Sequence, residues 1–512
     1  MPENKVYTKK YFQTYLWHGI SVVLSIISMV IVMPIISNNN VVFGIYSICI
    51  STAIFLSYAD LGFVSAGVKY AGECFAKNEQ DNEMQFYGFS GFILFLLVSI
   101  ISVFYLYLSY NPILLIKDIN EPTHIIIASK LLLIQAIFSF NTVFQRFVDG
   151  VFQVRIEQYV FQRFSAIGSL CKILSIYYFF HSGGYDIVGY FLFIKVIDLI
   201  ILVVGLIVID KKYSISLKSY FNNFKFNKAI YLKTKDLAIS SVVVTFLWIV
   251  YYEIDLIVIG KTLGASSVAI FAIAATFMKL FRTLSSVLFS PFQNRYNHFI
   301  GLNDIKGLKS LVKSVIHFFI PIILFPLISI IILSDQIVLT WVGPQYFKSS
   351  LIITILCINF IFGPIRIPGA NLLVAFERIK DMYIVNIVMV LVYWLGIILT
   401  IDFWGINSFA IFKLLSGGIA LLFYAKYLIK FLDIHLSVIL KSIITFAPPL
   451  FLQSILLIKG GTYLPNTEGA LNLAFVILFG GLASIVGFTI LYVSSDDYKN
   501  LIKINITKLY AH

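Results

Sequence analysis

Apolar runs of about 20 residues recur from one end of this chain to the other, and that recurrence leaves few folds open. A helix rising ~1.5 Å per residue needs about 20 residues to cross ~30 Å of hydrocarbon, and inside hydrocarbon only a helix or a closed barrel satisfies its own backbone. Composition agrees: 59% of residues are hydrophobic and only 12% charged, with a mean hydropathy of +0.92. Soluble domains carry about twice that charge. Hydropathy predicts spans at about 15–36, 41–59, 86–109, 124–148, 158–180 and 185–209. After a polar stretch come 237–259, 265–289, 312–334, 349–375, 383–401 and 404–425, then 436–458 and 470–493. The run Tyr15 to Ile36 is longer than a signal-peptide core, lacks a small-x-small site after it, and reads as the first retained span. The expected fold class is an all-α integral membrane protein of about 14 transmembrane helices. The expected organisation is an N-terminal six-helix bundle over 1–209, a basic cytoplasmic connection over 210–235, a second six-helix bundle over 236–430, and two extra helices with a tail over 431–512.

Lysine and arginine fix the expected orientation, because positive segments resist translocation. Of the 38 Lys and Arg, 26 fall in segments on one side of this scheme and four on the other, Lys117, Lys261, Lys348 and Lys459. Both termini and the 210–235 connection are therefore expected in the cytoplasm. The net charge of +13 is largely this topology, and no separate basic domain exists to suit a nucleic acid.

Eight cations remain inside predicted spans: Lys130, Arg163, Lys172, Lys195, Lys279, Arg282, Arg366 and Lys413. Each costs at least ~2.5–3.5 kcal/mol at a helix centre unless it faces protein or a wet cavity. Lys172 and Lys279 best suit snorkelling or a structural pair. The spans answer these cations chiefly with Asp198, Glu253 and Asp255, so the interior is net cationic. A cationic cavity suits an anion, and phosphate matches Arg and Lys well. Lys195, Lys413, Arg282, Arg366, Lys130 and Arg163 are the substrate-binding candidates.

Internal repetition points the same way. FGIYSICI (43–50) aligns with VAIFAIAA (268–275), and FLFIKVID (191–198) with FAIFKLLS (409–416), so the sixth span of each half presents Lys195 and Lys413 in the same apolar frame. Two six-helix halves related by a pseudo-twofold axis are a transporter plan with the substrate site at mid-membrane.

Four segments carry a wider resemblance: YADLGFVSAGVKYAGE (58–73), YYEIDLIVIGKTLGASSVAIFAIAA (251–275), WVGPQYFKSSLIITIL (341–356) and LLVAFERIKDMYIVNI (372–387). Taken in order, they resemble the polysaccharide transporters of the multidrug/oligosaccharidyl-lipid/polysaccharide exporter superfamily, whose best-known members are O-antigen flippases. The resemblance implies twelve to fourteen helices in two bundles around a central cationic cavity. It also implies export of undecaprenyl-diphosphate-linked oligosaccharide across a bacterial inner membrane by alternating access. Expected partners are that lipid-linked glycan, membrane lipids, and a complex with a polysaccharide polymerase and chain-length regulator. No cofactor is expected beyond a coupling H+ or Na+.

The coupling candidates are the acids. Asp198 lies at i+3 from Lys195, where one helix lets the two pair. Glu253 and Asp255, two residues apart, face different directions. Burial raises a carboxyl toward neutral pKa, which is how such an acid loads and releases a proton. Asp60, followed by Gly62, reads as a helix end. An enzyme is not expected: Cys49, Cys74, Cys171 and Cys357 form no C-x-x-C pair, the seven His form no metal motif, and no Gly-rich phosphate loop appears. A membrane polymerase or ligase would need a larger external loop than the dozen or so residues near 110–123, 335–348 and 459–469. A multidrug or cation antiporter of the same fold is the other alternative, and it would line its cavity with carboxylates.

Overall fold

The computed structural model describes residues 2–117, 119, 121–181, 184–434, 436–496 and 498–499. Lys503 and Lys508, counted in the charge tally, lie outside the described residues. Every regular element among the described residues is helical. The chain forms two compact units, Met1–Ala269 and Ile270–His512.

The first unit holds α1 (Pro2–Ile36), α2 (Asn40–Ser51), α3 (Ile54–Ser57), α4 (Phe63–Ala76), α5 (Gln80–Tyr110) and α6 (Pro122–Phe138). It continues with α7 (Asn141–Val154), α8 (Gln158–Phe179), α9 (Ile187–Tyr213), α10 (Leu217–Asn222), α11 (Lys228–Tyr252) and α12 (Asp255–Leu263). From α13 (Ala265–Gly301) the chain enters the second unit, with α14 (Ile305–Ile332), α15 (Ser334–Trp341), α16 (Ser349–Phe360) and α17 (Gly363–Ala375). There follow α18 (Ile379–Trp404), α19 (Asn407–Leu432), α20 (Leu436–Gly461) and α21 (Ala470–Ser494). The boundary between units falls later than the 210–235 connection at which the sequence reading divides the chain, because α11 packs on α4 and α12 on α2.

Ten helices are long and apolar enough to cross a membrane, and three bent pairs raise the number to 13 among the described residues. The 22-residue α8 has the length but carries Arg163 and Lys172; counting it gives the fourteen expected spans. Large apolar side chains stand exposed on the outer helix faces, among them Ile100, Leu174, Leu399, Phe403 and Leu478. Such surfaces are a liability in water and neutral in hydrocarbon. The protein is a multi-pass membrane protein.

Side chains and imino acids set the helix ends. The Asn39, Asp186 and Asp304 side chains accept from the amides of Val42, Gly189 and Gly307, at 3.1, 2.8 and 2.8 Å. At 58–62 the second span breaks: Leu61 (φ 46°) and Gly62 (φ 78°) turn left-handed and α4 starts at Phe63. The fourth span of each sequence half is also broken, and by nearly the same angle: 46° between α6 and α7, 48° between α16 and α17. In the first break, the hydroxyls of Ser139 and Ser102 both donate to the Ala136 carbonyl, at 2.7 and 2.9 Å. In the second, Gly363-Pro364 starts the new helix, where a missing amide costs no hydrogen bond.

Two of the connections carry helices of their own. The first half of 335–348 is α15, packed on α16 and α21 with Trp341 only 2% exposed. In the 210–235 connection, α10 docks on α5 and buries Tyr220 completely. A Cβ on Gly91 of α5 would lie 1.8 Å from the Tyr220 hydroxyl, so only glycine admits that ring.

The two ends of the first unit carry different charged groups. At one end Glu157 accepts from Lys10 (2.7 Å), from Lys212, and from the Tyr213 hydroxyl (2.5 Å). Beside it Arg155 makes a two-pronged pair with Glu83, at 2.7 and 3.1 Å. At the other end the Lys117 amide donates to the Gly260 carbonyl at 3.0 Å, so Lys117 and Lys261, both assigned to the sparse side of the charge tally, sit together.

Candidate functional site: a charged cavity in the first unit

Three helices bring their polar faces together around a cavity of about 400 Å³. From α7, Asn141, Gln145 and Asp149 follow one another at i, i+4 and i+8, with Arg146 beside them. From α8 come Ser165, Ser169 and Lys172, again within two turns of one face, and from α9 Lys195 and Asp198 at i, i+3. Ser57, at the end of α3, and Phe138, Thr142, Phe161 and Ile201 complete the wall. The break between α6 and α7 matters here, because α7 starts in a new direction and its polar side chains line the cavity. Gly168 lets α8 approach α9: a Cβ there would lie 2.2 Å from Ile201 Cδ1.

The polar groups are held in place by their neighbours. Arg146 Nη2 donates to the Ser57 carbonyl at 2.6 Å, and Gln145 Nε2 to Asp149 Oδ1 at 3.3 Å. Lys172 Nζ donates to the Asp198 carboxylate across the α8–α9 contact. The Ser165 and Ser169 hydroxyls bond back to the carbonyls of Phe161 and Ser165, at 3.2 and 2.9 Å. Lys195 Nζ lies 5.1 Å from the Phe191 ring centre. Three cations therefore face two carboxylates, which gives the cavity a net positive charge.

The sequence candidates distribute unevenly around this site. Lys195 and Asp198 line it. The cation that pairs with Asp198 is Lys172, from the neighbouring helix, rather than Lys195 one turn away. Arg163, on α8, is half-buried with its guanidinium 5.4 Å from the Trp17 ring and 5.1 Å from Tyr159. Lys130 is exposed on α6. Glu253 follows the last turn of α11, its amide donating to the Ile249 carbonyl at 2.9 Å, and Asp255 is buried in the first turn of α12, where the helix dipole favours a carboxylate. Neither acid lines the cavity.

The remaining cationic candidates lie in the second unit. Lys413, on α19, is wholly buried with its ammonium 4.2 Å from the centre of the Tyr393 ring of α18. One turn along α19, a Cβ on Gly417 would lie 1.9 Å from Asn359 Oδ1 and 3.0 Å from Arg366 Nη1. Glycine there makes room for the Arg366–Asn359 hydrogen bond of 3.4 Å between α17 and α16. Arg282 is half-buried on α13, and Lys279 exposed. Lys195 and Lys413 thus share a sequence frame but not an environment.

Sequence reasoning missed Arg146 and Asp149, counting the former among the loop cations. The spacing Asn141, Gln145, Asp149 was the available signal, a polar stripe on one face of an otherwise apolar span. Among the described residues no three His, Cys, Asp or Glu side chains gather as a metal site would need.

No family model and no curated protein matches the sequence. Solved structures do resemble it. The lipid II flippase MurJ, in an inward closed conformation, superposes with a TM-score of 0.65 at 15% identity, over 95% of this chain and 99% of its own. A multidrug resistance MATE family transporter of the MOP superfamily, inward-facing, gives 0.60 at 12% identity, over 77% of this chain and 94% of its own. The eukaryotic MATE transporter AtDTX14 gives 0.54 at 15% identity, over 82% and 94%. At such identities the likeness speaks for the fold alone, an all-α fold that this chain shares with those structures.

Proposed function

We propose that the protein is a flippase that carries an undecaprenyl-diphosphate-linked oligosaccharide, a repeat unit of O-antigen or another surface polysaccharide, from the cytoplasmic to the outer leaflet of a bacterial inner membrane. The observation that carries this reading is the net positive cavity of the first unit, where Arg146, Lys172 and Lys195 outnumber Asp149 and Asp198. A diphosphate and its hydrated sugars cannot cross ~30 Å of hydrocarbon unaided, and cations on a polar wall offer a route. Arg146 supplies a planar fork that matches two phosphate oxygens, while lysines supply point charge. Outward movement of the anion is favoured by an inside-negative potential, at ~2.3 kcal/mol per charge per 100 mV across the full field. The grouping of Lys10, Arg155 and Lys212 at one end supports cytoplasmic termini by the positive-inside rule.

In this reading Asp198, which shares Lys172, is the acid best placed to couple transport to H+ or Na+. A polymerase and chain-length regulator would receive the exported unit. The presence of two carboxylates in the cavity favours one alternative, a cation-exporting antiporter of the same fold. The test is leaflet assignment of the lipid-linked oligosaccharide in cells that lack the protein or carry Lys195→Ala. Accumulation on the cytoplasmic leaflet is expected. Normal lipid distribution together with retention of a cationic dye would replace the flippase with the antiporter.

A further inference from the structure

Two glycines one turn apart on α5 form the seat of α10: a Cβ on Gly88 would lie 2.4 Å from the Asn223 carbonyl oxygen, and one on Gly91 1.8 Å from the Tyr220 hydroxyl. The helix is closed at both ends, since the Ser216 side chain accepts from the Ser219 amide at 3.2 Å and Asn223 Nδ2 donates to the Ser219 carbonyl at 2.9 Å. From this seat the Tyr220 ring packs on α7, its centre 4.3 Å from that of the Phe147 ring. A phenylalanine would make the same apolar contacts. The Tyr220 hydroxyl is fully buried and bonds no protein group among the described residues, whereas buried polar groups are ordinarily paired, with protein or with water. Tyr220 and Ser90 line a small internal cavity of about 10 Å³, together with Val64 and Val68 of α4 and Arg146 of α7. One water molecule needs ~10–15 Å³ and two to four polar partners. Arg146 is the one residue that lines both this cavity and the charged one. Its hydrogen bond to the Ser57 carbonyl engages Nη2 alone, so most of the five guanidinium donors stay available to the two cavities it borders.

We propose that a single buried water in this cavity bridges the Tyr220 hydroxyl to the Arg146 guanidinium, and that Tyr220 is thereby a positioning residue for Arg146. Ser90 Oγ is the third partner of the water: it donates to the Phe63 carbonyl at 3.1 Å and keeps its lone pairs for a donor. Held by Ser57 on one side and by the water on the other, the guanidinium presents its fork to the charged cavity in one orientation, and an anion then binds without first ordering the side chain. The seat of α10 on Gly88 and Gly91 sets that orientation, so a shift of the connection off α5 releases Arg146. The anion-binding role of Arg146 rests on the flippase reading; the tether itself rests on the cavity and the unpaired hydroxyl.

The test uses the full-length protein in phosphatidylcholine nanodiscs and two measurements. The first is the rate at which phenylglyoxal modifies Arg146, read by peptide mass spectrometry, with the half-buried Arg163 of α8 as internal control. Tyr220→Phe keeps the ring and removes the hydroxyl; it should speed modification of Arg146 about threefold, the scale of one weak hydrogen bond, and leave Arg163 unchanged. Ser90→Ala, which removes another corner of the water site without touching the ring, should act in the same direction. The second measurement is binding of inorganic pyrophosphate, which Tyr220→Phe should weaken about fivefold in the wild-type and Lys195→Ala backgrounds but not in Arg146→Lys, where the group it positions is gone. An unchanged Arg146 rate in both variants overturns the proposal, as does equal acceleration of Arg163, which marks general loosening. A pyrophosphate loss that persists in the Arg146→Lys background overturns it too. If Arg146 responds to Tyr220→Phe but the wild-type protein binds no pyrophosphate, the tether stands and the flippase reading falls.

Discussion

Replacing Glu83 by Gln isolates the buried ionic knot at the basic end of the first unit. Glu83 is 1% and Arg155 7% exposed at the side chain, and their two hydrogen bonds measure 2.7 and 3.1 Å. The guanidinium lies between the rings of Phe75 and Tyr213, 4.7 and 4.9 Å from their centres, and its other bond is to the Val151 carbonyl at 3.3 Å. The amide keeps the shape of the carboxylate but removes its charge, and the arginine cannot release a proton in response. Two unit charges ~4 Å apart at an effective dielectric of ~20 attract by about 4 kcal/mol. Breaking a buried pair by removing one partner typically costs about 3–5 kcal/mol. Both routes put Glu83→Gln several kcal/mol below wild type. The double variant Glu83→Leu/Arg155→Met should recover most of that loss, because it takes the desolvation penalty away with the pair. Unfolding of wild type, Glu83→Leu, Arg155→Met and the double variant in mixed micelles gives the coupling directly. A Glu83→Gln variant as stable as wild type, or a double variant no better than the single ones, would refute the account of the knot as a desolvated, charge-dependent contact.

Glu157 gives a pH signature at the same end. Burial alone would raise its carboxyl, but hydrogen bonds from Lys10, Lys212 and Tyr213 hold it down to about 2 from the usual 4.5. Its folded pKa is depressed, so its contribution is complete above pH ~4.5 and is lost as pH falls toward 2; Glu157→Gln should flatten the acid limb of the stability curve in that window, as read by unfolding midpoints across pH. Lys195→Arg should retain most transport, since the side chain borders a cavity of about 400 Å³, while Lys413→Arg should lose it and reduce protein yield, since Lys413 has no exposed surface to expand into. The comparison uses export activity normalised to membrane protein level, and equal tolerance at both positions would contradict the difference in environment. Reporter fusions after Lys235 should score cytoplasmic and insertions near Lys459 external; the reverse would overturn the orientation drawn from the charge tally.

Spans and their number were legible in the sequence because each depends on a local quantity, the length of an apolar run against the thickness of hydrocarbon. The fourteenth, α8, was visible by length despite Arg163 and Lys172. The same local logic exposed the shared frame of Lys195 and Lys413, and marked the turn at Asp60 and Gly62 where the left-handed backbone now sits. Which charges meet was not legible. Lys195 and Lys172 both lie within reach of Asp198 in principle, one on its own helix and one on the next, and the choice of Lys172 depends on how α8 and α9 are rotated about their axes. That rotation is set by close contacts such as Gly168 against Ile201, which have no signature in hydropathy. Arg146 entered the cavity wall because the chain bends by 46° ahead of it, and α10 left solvent because Gly91 opens a seat for Tyr220. Hydropathy has a period along one chain, but side-chain pairing requires the phase of two helices at once, and only their packing fixes that phase.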